Sequence, residues 1–476
     1  MQNTQSKTEV IEEAALRQLR TRFSGELIRP GDAVYDEARK IWNGMIDRYP
    51  ALIARCESVA DVQAAVNFAR EQDLLVAVRG GGHNVAGYAV CEGGVVIDLS
   101  PMRKVVVDPV TRTARVEGGA TLSDLDAATQ AFGLAAPAGV VSATGVAGLT
   151  LGGGLGWLRR KYGLACDNLI AAEVVTADGQ VVYTSESQHP ELLWGLRGGG
   201  GNFGIVTSFI FRLYSVGPEV AFTFVFYPIA RAREVLHFHE QFLSSEPGNV
   251  STVAVLGQVP HVDAFPAEIH GLPFVGVLGM YAGEADEGMK AMRPLRELGD
   301  ALVDMSAVMP YLEAQKIYDA DYPNGHRYYW KSTNMNALTD EVIEILTRHA
   351  IEAPSGHSTI DIWFNGGAMG SLSANATAYG RRDIPYLINP EANWEHPEGD
   401  TANIGWARKL LAELEPHSAG GMYLNFPGFL EEGEKLVRAS YGENYARLMA
   451  LKTQYDPHNL FRRNQNIKPA NERSTP

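Results

Sequence analysis

Three dense runs of glycine constrain this chain more than any other feature in it: RGGGHN at 79–84, GVAGLTLGGGLG at 145–156 and GGGGNFG at 198–204. Consecutive glycines carry no Cβ, so their N–H groups can converge on one concavity and an anion can come close to the backbone. A pyrophosphate is the natural guest. Any one run alone reads equally well as a turn, but three of them beside strand-like apolar stretches do not. The third run matches G-x-G-x-x-G by letter. A strand, IVTSFIFRLY, follows it where a Rossmann fingerprint needs a helix, so that reading fails. The middle run is too rich in glycine for a helix interior and too apolar for a solvated linker, and is expected to be irregular backbone laid against something.

Around these runs the text alternates strands with short helices. Ser58 to Asp61 has the form of a helix start, with Val59, Val62, Val66 and Ala69 at helical spacing and an end near Asp73. Leu74 to Gly80 is a buried strand running into the first glycines. GGVVIDLS and KVVVDPVTRTARVEGG supply β segments with a turn at Asp108-Pro109. Thr121 to Asp124 opens a second helix that Gly133 closes. Leu169 to Tyr183 returns to strands. Beyond Val216-Gly-Pro218 the composition shifts to longer strands, amphipathic helices and aromatic clusters such as Tyr328-Tyr-Trp330. From Met422 a short strand, a helix around 442–453 and a polar loop complete the reading.

Bulk properties narrow the function classes. A net charge of −15 argues against a nucleic-acid binder, which needs clustered Lys and Arg. No apolar run reaches eighteen residues and the first thirty lack a signal peptide's apolar segment, so the expectation is a cytoplasmic protein with no membrane partner. Only Cys56, Cys91 and Cys166 occur, which excludes a disulfide framework and a cysteine zinc site. The histidines form no H-E-x-x-H pattern, and no metal is expected.

RGGGHN, TGVAGLTLGGGLG, KYGLACDNL and RGGGGNFGIV together resemble the vanillyl-alcohol oxidase and p-cresol methylhydroxylase (PCMH) superfamily, and within it the berberine bridge enzyme-like branch, over nearly the whole chain from about residue 50. The resemblance implies an α+β fold: a two-part, PCMH-type FAD-binding domain at 1–216 and 421–476, with an antiparallel-sheet-plus-helices substrate domain inserted at 217–420. It implies FAD bonded covalently through His83 and Cys166. Neutral imidazole and thiolate are the side-chain nucleophiles suited to an electron-poor ring at neutral pH. The cofactor contacts it implies are Arg79, Gly80, Gly81, Gly82, His83, Asn84, Gly145, Val146, Gly148, Gly152, Gly153, Gly154, Gly156, Cys166, Asp167, Asn202, Gly204, Ile205, Val206 and Asn464. Val146 corresponds to a small aliphatic residue beside the flavin's oxygen-reactive carbon, which favours O2 as acceptor. Cys56 and Cys91 match no role.

For chemistry on the substrate, a strand over Gly421 to Phe426 puts Tyr423 and Asn425 on one face. They match the family's Tyr-x-Asn element, whose tyrosine acts as base while hydride leaves the adjacent carbon. A phenol with a pKa of about 10 needs a cation or donors nearby to serve so; Lys331, Arg327 and Asn425 are the candidates. Asp361, Trp363 and Asn365 share one strand face and could line the same cavity, although an ordinary amphipathic strand explains Trp363 better. Family members that oxidise oligosaccharides tend to carry a tyrosine where Val85 stands and a histidine where Leu149 stands, so sugar specificity is weakened. The expectation is an FAD-dependent oxidase of monomeric or small homo-oligomeric form. It takes hydride from a C–H beside O or N of an alcohol, saccharide or cyclic amine and passes the electrons to O2, giving H2O2. A dehydrogenase or oxidative cyclase, and a flavin-binding protein without turnover, stay open as alternatives.

Overall fold

The computed structural model describes residues 11–470; the ends of the expected first and last segments, 1–10 and 471–476, lie outside the described residues. A four-stranded sheet comes first, in the order Glu26–Ile28, Leu52–Arg55, Val95–Asp98, Val76–Arg79. The two pairs that Val95–Asp98 makes are parallel, which the crossover through the helix Val59–Glu71 makes possible. Ser58 caps that helix by accepting from Asp61 N–H, and Val62, Ala65, Val66 and Ala69 bury one face.

A five-stranded antiparallel sheet follows, ordered Val105–Asp108, Thr113–Glu117, Ile205–Arg212, Leu169–Val175, Val181–Ser185. The helix Leu122–Gln130 beside it begins with the reciprocal Thr121/Asp124 capping box, and Gly133 follows with φ +64°. The long strand Ile205–Arg212 runs straight out of the third glycine run, as its apolar composition requires.

A nine-stranded sheet, antiparallel throughout, takes its strands from Glu219–Pro228 to Tyr386–Trp394. Strand alternation divides its residues between two layers. Ala254, Leu256, Ile360 and Ile362 face the helices Ala232–Ser245, Asp340–Ile351 and Asp400–Leu414. Val253, Val255 and Trp363 face the glycine-rich half, packing with Leu155, Trp157 and Leu164. The architecture is α+β, as expected. After Gly420 the chain returns to the first half, where Leu448, Leu451 and Ile467 share a core with Val206, Phe209 and Leu192.

Two local expectations are overturned. The middle glycine run contains a short helix, Val146–Leu151, because only Gly148 interrupts a VAGLTL segment otherwise able to wind, while the denser glycines follow its end. Gly421 to Phe426 is not a strand: Gly420 and Gly421 both have positive φ, and the Phe426 N–H bonds back to Tyr423 C=O in a turn. Among the described residues no helix is long and apolar enough to cross a membrane.

Candidate active site

One large cavity lies between the glycine-rich half and the nine-stranded sheet, with about 1680 Å³ of empty space including its open mouth. One wall is rich in glycine backbone. Gly80, Gly81, Gly82, His83 and Asn84 form it with Gly145, Gly148 and Gly152, then Gly204, Ile205 and Val206, and Asn464 from the C-terminal loop. The first two runs touch backbone to backbone: a Cβ on Gly81 would stand 2.5 Å from Gly145 N, and one on Gly145 2.4 Å from Gly81 N. No side chain fits at either position.

His83 stands where the two walls meet. Its imidazole stacks on Trp42, centroids 4.0 Å apart, and Trp42 stacks in turn on Tyr328 at 3.7 Å. Trp42 is itself pinned by an indole N–H donated to Tyr322 C=O. The Nε2 atom of His83 is shut off from solvent and has no hydrogen-bond partner. Desolvation depresses the ring's pKa to about 3, so the imidazole is neutral and its lone pair is available. An orphaned, neutral ring nitrogen at the edge of a glycine-walled cavity fits a group that bonds to it.

Tyr423 is fully buried on the cavity wall. Its hydroxyl oxygen accepts from Gly154 N–H at 2.9 Å, Leu155 N–H at 3.1 Å and Asn425 Nδ2 at 2.9 Å. A phenol oxygen has two lone pairs, whereas a phenolate can take three donors. Burial pushes the pKa up to about 12, and the same three donors work against that rise. Asn425 is fixed by a second bond, to Leu149 C=O. The close packing that delivers the two amides explains the adjacent glycine: a Cβ on Gly153, φ +127°, would strike the Tyr379 and Tyr423 rings.

The opposite wall is made of side chains on neighbouring strands. Thr359 pairs with Glu391 and Glu391 with Trp330; one row along, Asp361 pairs with Asn389. Glu391 accepts from Tyr322 O–H at 2.5 Å and from Asn389, and Asp361 accepts from Thr359 O–H at 3.0 Å. Burial raises the Asp361 pKa to about 7, and burial together with the Asp361 charge raises Glu391 well above the carboxylate range.

Several expected contacts lie elsewhere. Arg79 is tied to Asp98 at 2.6 Å and to Ala38 C=O, so it holds two chain segments together away from the cavity. Asn202 accepts from Ile467 N–H and donates to Gly199 C=O. Asp167 receives the Arg382 guanidinium. Val146 packs in the core with Leu122 and Leu125, because as the first residue of its helix it points away from the wall that Ala147 and Leu149 form. Gly153, Gly154 and Gly156 sit one layer back, where they let chains pack closely, with Gly154 also supplying an amide. Lys331 is held by Glu431 and Glu432, and Arg327 by Asp400, so neither serves Tyr423. Asn365 donates to Ile384 C=O beyond the strand's end. Cys166 is fully buried in a 3-10 turn behind the wall, its N–H bonded to Gly153 C=O, and burial raises its thiol pKa well above the usual value. Sequence reasoning missed Trp42, Tyr318, Tyr322 and Glu391. Their side chains meet only through tertiary packing, and no local pattern marks them.

Two family models match: an FAD binding domain over residues 50–185 and a berberine and berberine-like region over 422–468. (R)-6-hydroxynicotine oxidase of Paenarthrobacter nicotinovorans is 32% identical, with 94% of this chain and 97% of that protein covered. Xylooligosaccharide oxidase of Thermothelomyces thermophilus is 30% identical over 90% of this chain and 89% of that one. Among solved structures, 6-hydroxy-D-nicotine oxidase from Arthrobacter nicotinovorans superposes with a TM-score of 0.83 at 31% identity, covering 94% of this chain and 98% of that one.

Proposed function

The chain belongs to the berberine bridge enzyme-like family of FAD-linked oxidoreductases, and from that premise we propose that it is an oxidase taking hydride from a C–H next to O or N of a small organic molecule. The flavin supplies a two-electron acceptor. The observation that carries the reading is the Tyr423 oxygen, faced by three donors on the wall of the cavity. Tyr423 removes the proton from the substrate's O–H or N–H, and Gly154, Leu155 and Asn425 hold the phenolate that must exist beforehand. Gly81, Gly82 and Gly145, with Asn464, would hold the pyrophosphate.

His83 would hold the flavin ring through its neutral imidazole, a role its orphaned nitrogen supports. Cys166 would supply the second attachment to the flavin through its sulfur; the hydrogen bond of its turn to Gly153, next to Tyr423, supports this. The final acceptor is O2, with H2O2 as product, in line with the oxidase names of its relatives.

Anaerobic mixing with alcohols, saccharides and cyclic amines is expected to bleach the flavin with at least one class, and admitting air is expected to restore colour and release peroxide. Absence of bleaching with every class overturns the reading in favour of a flavin-binding protein without turnover; bleaching without reoxidation in air makes it a dehydrogenase. Peptide mass spectrometry reads the tethers. Attachment should shift to one residue in His83→Ala or Cys166→Ala, and an unchanged flavin-peptide mass in Cys166→Ala removes the sulfur bond.

A further inference from the structure

The side-chain wall of the cavity carries an inference that rests on the oxidase reading and narrows its substrate. Asp361 and Glu391 are only 2% and 3% exposed, line the cavity, and share one face of adjacent strands. Among the described residues neither has an ion-pair partner. Glu391 is met only by Tyr322 O–H and Asn389, and Asp361 by Thr359 O–H. The Arg159 guanidinium stacks on the Trp363 ring at 5.0 Å, does not line the cavity, and is engaged by the carbonyls of Gly156, Thr252 and Phe364, while Arg463, which does line it, donates to Gly87 and Val90 C=O beside Tyr88 on the glycine-rich side.

Aromatic rings surround the two acids. Tyr322 meets Trp330 edge-on at 5.2 Å and Tyr318 at 5.9 Å, and Trp363 completes the wall. Phe426 links this group to the base, lying 5.4 Å from Trp330 and 4.8 Å from Tyr423. Two acids without a counter-charge, set among π faces, form a seat for a positive charge.

We propose that the substrate is an organic ammonium, a secondary or tertiary amine in its protonated form, whose charge sits at Asp361 and Glu391 among Tyr318, Tyr322, Trp330 and Trp363. The ammonium gives its N–H proton to the Tyr423 phenolate, leaving a neutral amine. The α-carbon then releases hydrogen with its electron pair to the flavin, and the product is an iminium ion.

The test uses the FAD-loaded protein and two probes, benzyltrimethylammonium, which has no proton to lose and reports binding alone, and neutral benzyl alcohol. Calorimetry is expected to find the cation bound at least about tenfold more tightly than the alcohol, and weakened about tenfold or more in Asp361→Asn or Glu391→Gln, the scale of one lost charge-assisted contact. Equal or tighter binding of benzyl alcohol overturns the proposal on the wild-type protein alone, whatever the variants do. Unchanged cation affinity in both variants, with the flavin spectrum intact, also overturns it. Flavin bleaching by N-methylbenzylamine and by cellobiose separates the two readings. A bound cation with no bleaching by any amine, alcohol or saccharide sinks the oxidase and leaves the cation seat. Bleaching by cellobiose without cation binding sinks the seat and leaves the oxidase.

Discussion

The two walls of the cavity are built from opposite materials. The glycine-rich wall is built around close-packed glycine backbone, contributed by three segments within residues 80–206 and one C-terminal loop. The wall on the nine-stranded sheet is all side chain, assembled from three strands and a loop, with acids and rings where the other has amides. A backbone surface tolerates no Cβ and reads any dinucleotide alike; a side-chain surface accepts substitution and sets what may enter. The pair teaches that such a fold can hold its cofactor chemistry constant while its substrate wall is rewritten.

That contrast can be broken most sharply at Gly81. Gly81→Val is expected to abolish flavin loading, because its first carbon would meet Gly145 backbone at 2.5 Å, where neither segment can yield. A protein that still binds FAD in normal ratio, read from the absorbance near the flavin bands, would show the backbone wall to be as forgiving as the other.

The next effect sharpens the contrast at the place where backbone amides serve a side chain. Tyr423→Phe is expected to slow anaerobic flavin reduction about 100-fold, the scale of a general base, without loss of flavin. With burial holding the phenol at about 12, the competent phenolate grows as pH rises, so reduction by wild type should accelerate with pH up to the point where protein or substrate limits it. Tyr423→Phe should lose that slope. A slope that survives the substitution assigns the base elsewhere.

The smallest effect concerns the joint between the halves. Asp126 on the helix Leu122–Gln130 meets Gln315 across that joint at 3.1 Å, and burial raises its pKa to about 7. Its folded value stands above its unfolded one, so the native state binds the extra proton. This stabilising contribution is full below about pH 4 and is lost as pH rises to about 7. Asp126→Asn should flatten that fall and raise stability near pH 8 by roughly 1–2 kcal/mol, measurable by denaturant melts at several pH values. An unchanged pH profile would mean that the joint is insensitive to this charge.

What could be read from the sequence follows the same division. Capping at Ser58 and Thr121, the strands around the glycines and the antiparallel character of the middle were legible because each is written in neighbouring residues. The placement of Gly80 to Asn84 on a concave wall was legible for the same reason. Val146 and the Gly421 to Phe426 segment were misread because the choice between helix, strand and turn there depends on φ values that composition does not fix. Tyr423 and Asn425 still converge, through a turn instead of a strand's period. The Glu391, Tyr322 and Trp330 group was invisible because Trp330 and Tyr322 stand 61 and 69 residues from Glu391 along the chain, and meet it only by strand register and by a loop's side-chain hydrogen bond.

Trp42 lies before the stretch that matches the FAD-domain model, yet its indole blocks one face of the His83 imidazole. That face of the ring is therefore closed to any other group. Thus a residue outside the recognisable core fixes how the imidazole beside the glycine wall is set, and a fragment trimmed to that core would keep His83 but lose the ring that braces it.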